Sequence, residues 1–265
     1  MKRQAQSKNK MSLLQYSKRD KDLRKIFEGD DGKEGDTTET IAAKEQRQAE
    51  KYKEILRREG DTKEYPPWMV KKLIKYIFED PMYYEVFLSR CHDINVVISV
   101  EKAKFFKEEI NQLNKNSADS LNMHSLKLGV NAITSLCNHA KTRTYDAINL
   151  ADNSISNWGM HAIKSLIAAN CCKSLNLASN MISDQGLEMI INELTKNTTL
   201  EKFDLGVWGN SIRKNSLGIS GAKCIAALFI HNKHLKVLKL RENDIGVKGA
   251  EVISQALKQN KTLRG

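Results

Sequence analysis

In the second half of the chain, pairs of apolar residues two apart recur at regular intervals: Ile148 and Leu150, Leu175 and Leu177, Phe203 and Leu205, Leu238 and Leu240. Alternation with a period of two is the mark of a strand that buries one face. Each pair is followed by a helix-length segment, such as GLEMIINELTKN or GAEVISQALKQN, with apolar residues three to four apart. That spacing gives a helix one apolar stripe. The pattern therefore predicts alternating short strands and helices in repeated copies.

Other columns keep the same phase. Three positions after the strand pair stands an asparagine, Asn153, Asn180 or Asn243, with Asn215 as the matching residue in the remaining copy. Two positions past each anchor come Ile155, Ile182, Leu217 and Ile245, and six past come Gly159, Gly186, Gly221 and Gly249. Seventeen past come Asn170, Asn197, Asn232 and Asn260. The steps from Asn153 to Asn180 and from Asn215 to Asn243 are nearly equal, so the ordinary period is near 28, and only the step from Asn180 to Asn215 is longer. A short amide side chain suits the point where the chain leaves a strand, because it satisfies local backbone groups. Ser156, Ser183 and Ser220 are expected to cap the helix N-termini, and the closing asparagines to take the left-handed conformation at helix ends. Upstream, Met123, Leu126, Leu128, Asn131 and Ile133 fit the template. With Asn131 as its anchor, this copy lies closer to Asn153 than the ordinary period, which predicts a shortened first repeat.

The combined pattern, L-x-x-L-x-L-x-x-N-x-I followed by a helix, resembles the leucine-rich repeat, in the long ribonuclease-inhibitor-like class. The resemblance covers about 119–265, as about five coils with the last truncated. It implies an α/β solenoid with parallel strands on a concave face, helices on the convex face and asparagines stacked as a ladder. One strand and one helix cannot bury their own apolar sides, so stacked copies share a continuous core.

The first half of the chain reads differently. Residues 1–39 are polar and charged and end in EGDDGKEGDTTET, which predicts a disordered or extended arm. Residues 40–65 open with TIAAKEQRQAEKYKEILRRE, a charged helix with few apolar anchors. Residues 66–118 carry two apolar helical segments separated by Pro81 and a third, EKAKFFKEEINQLNK, and are expected to form a helical cap over the repeat core. Nothing approaches the long apolar run of a membrane span. The N-terminus lacks the apolar segment of a secretory signal, while its basic, Ser- and Gln-bearing composition keeps a mitochondrial presequence open. The five cysteines show no metal-ligand spacing and read as small core residues in a reducing compartment.

Candidate chemistry is sparse. No phosphate loop, zinc-protease motif or nucleophile elbow occurs, so no enzyme, cofactor or metal is expected. His231 and His234 fall at a helix end, where an interaction with the helix dipole accounts for them. One feature does break the repeat. The other copies pass from the second strand leucine to the anchor in three steps, as from Leu177 to Asn180, but Leu205 is separated from Asn215 by an insertion of seven. The insertion contains Trp208, Arg213 and Lys214 on the strand-to-helix rim, and insertions in repeat proteins often fall on the binding face. The central concave column is expected to read Lys127, Asn149, Asn176, Asp204 and Lys239, flanked by Lys236 and Arg241: polar, of mixed sign and without aromatics. Net charge is +11, of which residues 117–265 supply +7 from 18 basic and 11 acidic side chains. This favours acidic protein surfaces, while the lack of an aromatic-interleaved basic groove argues against nucleic acid.

The expected function is a non-enzymatic interaction scaffold or structural subunit of a larger intracellular assembly. Its setting is cytoplasmic, with a ciliary or cytoskeletal complex preferred by analogy to the family. Two alternatives stand beside it. One is a regulator of a small GTPase similar to the Ran-GTPase-activating protein, with Arg213 as its loop arginine, although the family's loop pattern and acidic C-terminal tract are absent. The other is a mitochondrial assembly factor.

Overall fold

The computed structural model describes residues 46–47, 50–52, 54, 65, 67–116 and 118–264. The arm expected over 1–39, and most of the helix expected over 40–65, lie outside these residues. The chain divides into two compact units between Tyr76 and Ile77.

In the first unit, the described residues between 46 and 54 are helical, and the ring of Tyr52 stacks on Tyr76 with centroids 4.9 Å apart. Helix α1 (Pro67–Ile77) buries Met69, Leu73 and Ile74, spaced along one stripe.

The second unit opens with α2 (Pro81–Asp93). Pro81 occupies its first turn, where a missing N–H costs nothing, and the Asp80 carboxylate accepts from the Met82 N–H at 2.9 Å. Helix α3 (Val100–Asn114) follows, and Phe87 of α2 packs on Phe106 of α3 with ring centroids 5.7 Å apart. Then come five strands alternating with helices: β1 (Ser120–Asn122), α4 (Val130–Ala140), β2 (Tyr145–Asn149), α5 (Ser156–Ala168), β3 (Cys172–Asn176), α6 (Asp184–Lys196), β4 (Lys202–Asp204), α7 (Ile219–His231), β5 (Val237–Lys239) and α8 (Gly246–Leu257). All five strands are parallel and lie side by side in chain order. The inward strand column Leu121, Ile148, Leu175 and Phe203 and the helix column Leu136, Ile163, Ile190 and Ile225 are all buried, forming the shared core.

The register corrects the reading of the first coil. Asn122 pairs with Asn149, and Leu121 with Ile148, just as Asn149 pairs with Asn176 and Ile148 with Leu175 in the next coil. The two steps are equal along the chain, so β1 stands one ordinary period ahead of β2 and the first repeat is not shortened. Leu126 stands where later coils have the anchor asparagine, so a template that demanded a polar anchor slipped forward to Asn131. Lys127 consequently lies outside the central column, in the turn after β1, with φ 55°.

Both asparagine columns form ladders. Asn153, Asn180 and Asn215 are buried. The Asn180 amide donates to Leu150 O and Ala178 O, and its oxygen accepts from the Asn153 N–H. The Asn215 amide donates to Leu177 O and Leu205 O, and its oxygen accepts from the N–H groups of Asn180 and Ile182. In the second column Asn197 and Asn232 close α6 and α7 as expected, but with an extended rather than a left-handed backbone. Asn170 alone of the four has a left-handed backbone, φ 51°. Asn197, Asn232 and Asn260 instead donate to helix carbonyls one coil back, Ile167 O, Leu194 O and Phe229 O, each at 2.7 Å. Their oxygens accept from the N–H groups of Leu200, Leu235 and Leu263. They tie each coil's helix to the next coil's strand.

The serine caps are also corrected. Ser156 is the first residue of α5, Ser220 lies inside α7, and Ser183 flanks α6 without a side-chain capping bond. Capping comes instead from the neighbouring element. Asp93 of α2 accepts from Asn131 N and Ala132 N of α4, Asn157 of α5 accepts from Ser183 N, and Asp184 of α6 accepts from Gly218 N at 2.7 Å. This explains two of the glycines. A Cβ at Gly186 would sit 2.6 Å from Asn157 Oδ1, and one at Gly221 2.5 Å from Asp184 Oδ1.

The edge of β1 meets α3. The Asn114 side chain donates to Asn122 O at 3.0 Å and accepts from Asn122 N at 2.8 Å, pairing both backbone groups of that residue at the sheet edge. Helix α2 packs beside α4, where Ser89 and Ser135 share a hydrogen bond and Arg143 pairs with Asp80.

Candidate interaction surface

On the strands, outward residues alternate with core residues and line the concave face. The central column is Asn122, Asn149, Asn176, Asp204 and Lys239. Three of these side chains are occupied locally. Asn149 accepts from Ala151 N, Asn176 from Ala178 N and Asp204 from Gly206 N, in each case two positions on, where the chain turns out of the strand.

The charges of this face pair from coil to coil. Lys173 reaches Asp146 at 2.7 Å, Lys236 reaches Glu201 at 2.6 Å, and Lys239 lies 3.5 Å from Asp204. Lys236 holds the Glu201 carboxyl below its ordinary range through a direct hydrogen bond, and Asp146 raises Lys173 in the same way. Toward the rim, Glu242 takes Lys214 at 2.7 Å and Arg241 at 3.6 Å. The structure thus engages Lys236, Lys239, Arg241 and Lys214 with carboxylates of this chain, whereas Lys127 is exposed and apart from them.

The insertion between β4 and Asn215 folds back toward the first coils. Ser179 N donates to Gly206 O, and Trp208 N donates to the Ser179 hydroxyl at 2.8 Å. Gly209, at φ 54°, turns the chain where a side chain would be strained. The Trp208 ring then lies against His124 of the first coil, centroids 5.0 Å apart. Beneath it, Asp152 receives Ser125 Oγ from the first coil and both Ser211 Oγ and the Arg213 guanidinium from the insertion, the latter at 2.9 Å. Burial pushes the Asp152 carboxyl up, but the hydrogen bonds from Ser211, Ser125 and Arg213 together bring it below its ordinary value. Burial pushes the His124 imidazole down against the opposing pull of Asp152, and its buried Nδ1 has no hydrogen-bond partner.

Trp208 and Arg213 are therefore brought together, facing inward. The apolar residue the insertion offers outward is Ile212, 93% exposed between the two tied positions Ser211 and Arg213. Sequence reasoning missed Ile212, Asp152 and His124 as parts of one arrangement. Asp152 and Arg213 meet across more than two full repeats of chain, a separation that no local pattern spans.

The profile of the family described as Leucine Rich repeat matches residues 173–190 and 231–254. These segments hold β3 with the start of α6, and β5 with most of α8. The matched segments are leucine-rich repeats. No curated protein matches the chain. Among solved structures, the repeat protein is similar to one titled Leiomodin-1 Actin-Binding Site 2, at 20% identity and a TM-score of 0.45, covering 58% of this chain and 88% of that one. It is similar also to a tropomodulin C-terminal domain from Caenorhabditis elegans, at 20% identity and a TM-score of 0.44, covering 58% and 92%. Among the described residues, no group of three His, Cys, Asp or Glu side chains could hold a metal ion, and no helix is long and apolar enough to cross a membrane.

Proposed function

We propose that this leucine-rich repeat protein is a non-enzymatic interaction module, a subunit through which a larger protein assembly is held. The observation that carries the reading is the pinned insertion. Three hydrogen-bonding side chains converge on Asp152 to fix a loop whose outward residue is an apolar one. A rigid loop loses little conformational entropy when a partner covers it, so an exposed apolar side chain there is a preorganised anchor. The surrounding charges serve the same end, since carboxylates of neighbouring coils already satisfy most of the concave lysines and arginines.

The regulatory alternative draws less support. An arginine that completes a GTPase site must reach outward, and the Arg213 guanidinium is engaged with Asp152 within its own domain. The proposed setting is a cytoskeletal assembly, carried over as an expectation from sequence.

The test is cross-linking of the full chain in native cells, comparing wild type with Ile212→Asp. Defined protein partners that cross-link to the repeat half, and that weaken at least several-fold with the variant, support the module. A chain that recovers no stable protein partner in either form refutes it.

A further inference from the structure

The insertion after β4 runs back across the rim from the fourth coil to the first. It passes over one column, the residue before each anchor position. Ser125, Asp152 and Ser179 occupy that column with left-handed backbones, φ 58°, 53° and 56°. The repeat does not need this crossing, since the third coil goes from Leu177 to Asn180 in three steps without an insertion. The insertion also adds little to the core. None of residues 207–214 is buried, and Ile212 is turned out. A segment held by polar contacts, with few buried apolar ones, opens at low free energy.

The surface beneath it is built more fully. Asp152 accepts Ser125 on Oδ2 and both Ser211 and Arg213 on Oδ1, so the carboxylate is aimed from two sides. The Ser179 hydroxyl accepts a backbone N–H, that of Trp208, at 2.8 Å. The Met181 N–H faces a backbone carbonyl, that of Arg213, at 3.4 Å. His124 gives its ring to Trp208, yet its buried Nδ1 has no partner. A buried polar atom left unmatched requires an explanation, and here the insertion is an incomplete fit to what lies under it. Three consecutive coils thus present a carboxylate, a flat ring and two groups that match a polypeptide backbone. This set suits a short segment with an aromatic residue and an arginine five positions later, as Trp208 and Arg213 stand.

We propose that His124, Asp152, Ser179 and Met181 form a recognition site for a partner segment bearing an aromatic residue and an arginine, and that the insertion covers this site as a displaceable strap. The aromatic residue stacks on His124, the guanidinium pairs with Asp152, and Ser179 and Met181 hold the backbone between them. This goes beyond the interaction module proposed above. The closed strap displays Ile212, whereas displacement withdraws Ile212 and opens the site, so the two modes exclude each other. The test below uses no cellular partner, and its failure leaves the module standing.

The experiment is fluorescence anisotropy with a labelled peptide of residues 205–215 as the probe. It is titrated with the full wild-type chain and with two opened forms. One lacks residues 207–213, which returns the step from Leu205 to Asn215 to the ordinary three. The other carries Trp208→Ala with Arg213→Gln and keeps the length of the insertion. Both opened forms are expected to bind the peptide at least about tenfold more tightly than wild type, whose own strap competes at high effective concentration. Asp152→Asn in either opened form should weaken binding by at least about tenfold, as should Arg213→Gln or Trp208→Ala in the peptide. Circular dichroism and melting temperature verify that each chain is folded. Equal binding to wild type and opened forms overturns the inference, as does binding indifferent to Asp152→Asn, or no binding by folded opened forms. Loss of the fold in both opened forms overturns it too, because the insertion would then be a structural part of the repeat. If light scattering shows wild-type chains pairing through exchanged insertions, and Arg213→Gln abolishes the pairing, the occupant is a second copy and the partner segment is refuted.

Discussion

Asn215, with Asn153, makes the most side-chain hydrogen bonds in the anchor ladder, and removing it measures what that ladder is worth. Its side chain is 1% exposed. It donates to Leu177 O at 3.0 Å and Leu205 O at 2.9 Å, and accepts from Asn180 N at 3.0 Å and Ile182 N at 2.9 Å. Asn215→Ala deprives four buried backbone groups of this partner. A buried group left unsatisfied costs roughly 1–3 kcal/mol, partly recovered where water enters the space. The expected loss is about 4 kcal/mol. Asn243 provides the internal comparison. It sits in the last coil, half-buried, donates to Leu205 O and Leu240 O, and its buried oxygen has no partner. Two bonds near solvent give an expected loss of about 1 kcal/mol for Asn243→Ala. Urea unfolding followed by circular dichroism resolves the difference. With a slope of about 2 kcal/mol per molar, the midpoint should fall by about 2 M for the Asn215 variant and about 0.5 M for the Asn243 variant. Equal losses at both positions, or a loss below about 1 kcal/mol at Asn215, would show that the ladder is decoration on a core held by its apolar residues.

Three further outcomes are expected. Gly221→Ala should destabilise by about 2 kcal/mol although alanine favours helices by about 1 kcal/mol, because its Cβ collides with Asp184 Oδ1; in an Asp184→Ala background the penalty should shrink or reverse, as a double-mutant cycle in urea will reveal. Asp152→Gly keeps the left-handed backbone without strain but releases Ser125, Ser211 and Arg213; trypsin should then cut after Arg213 or Lys214 at least tenfold faster, and an unchanged rate means Asp152 is not what pins the loop. The His124 imidazole is lowered by burial, so its neutral form stabilises the fold fully above the unfolded value near about 6.5, and that contribution declines as pH falls below it. Asp152, also lowered, adds a loss only further into acid. The melting temperature should therefore drop between pH 7.5 and 5.5 by more in wild type than in His124→Asn, and equal drops would remove His124 from the account.

The repeat, its strand-helix alternation and the stacking of copies were legible in sequence because each coil solves the same local problem with the same residue types. Leu175, Ile182 and Ile190 face the core for reasons of periodicity alone, and an amide at Asn180 has a job wherever a strand ends. Less could be read at the positions where one coil works for another. Asp184 caps the helix of the next coil, Asn197 reaches back to Ile167 O, and Leu126 replaces the anchor without shifting the register. These roles follow from the distance between coils, which a single repeat does not encode. The insertion is the clearest case. Its residues alone suggest a projecting Trp and Arg, yet the left-handed turn at Gly209 and the Asp152 carboxylate, far away in the chain, turn both inward and leave Ile212 outside. Composition determines the total charge of the repeat half, while the fold decides which charges cancel, because ion pairing depends on neighbours in space: the concave face neutralises itself coil against coil.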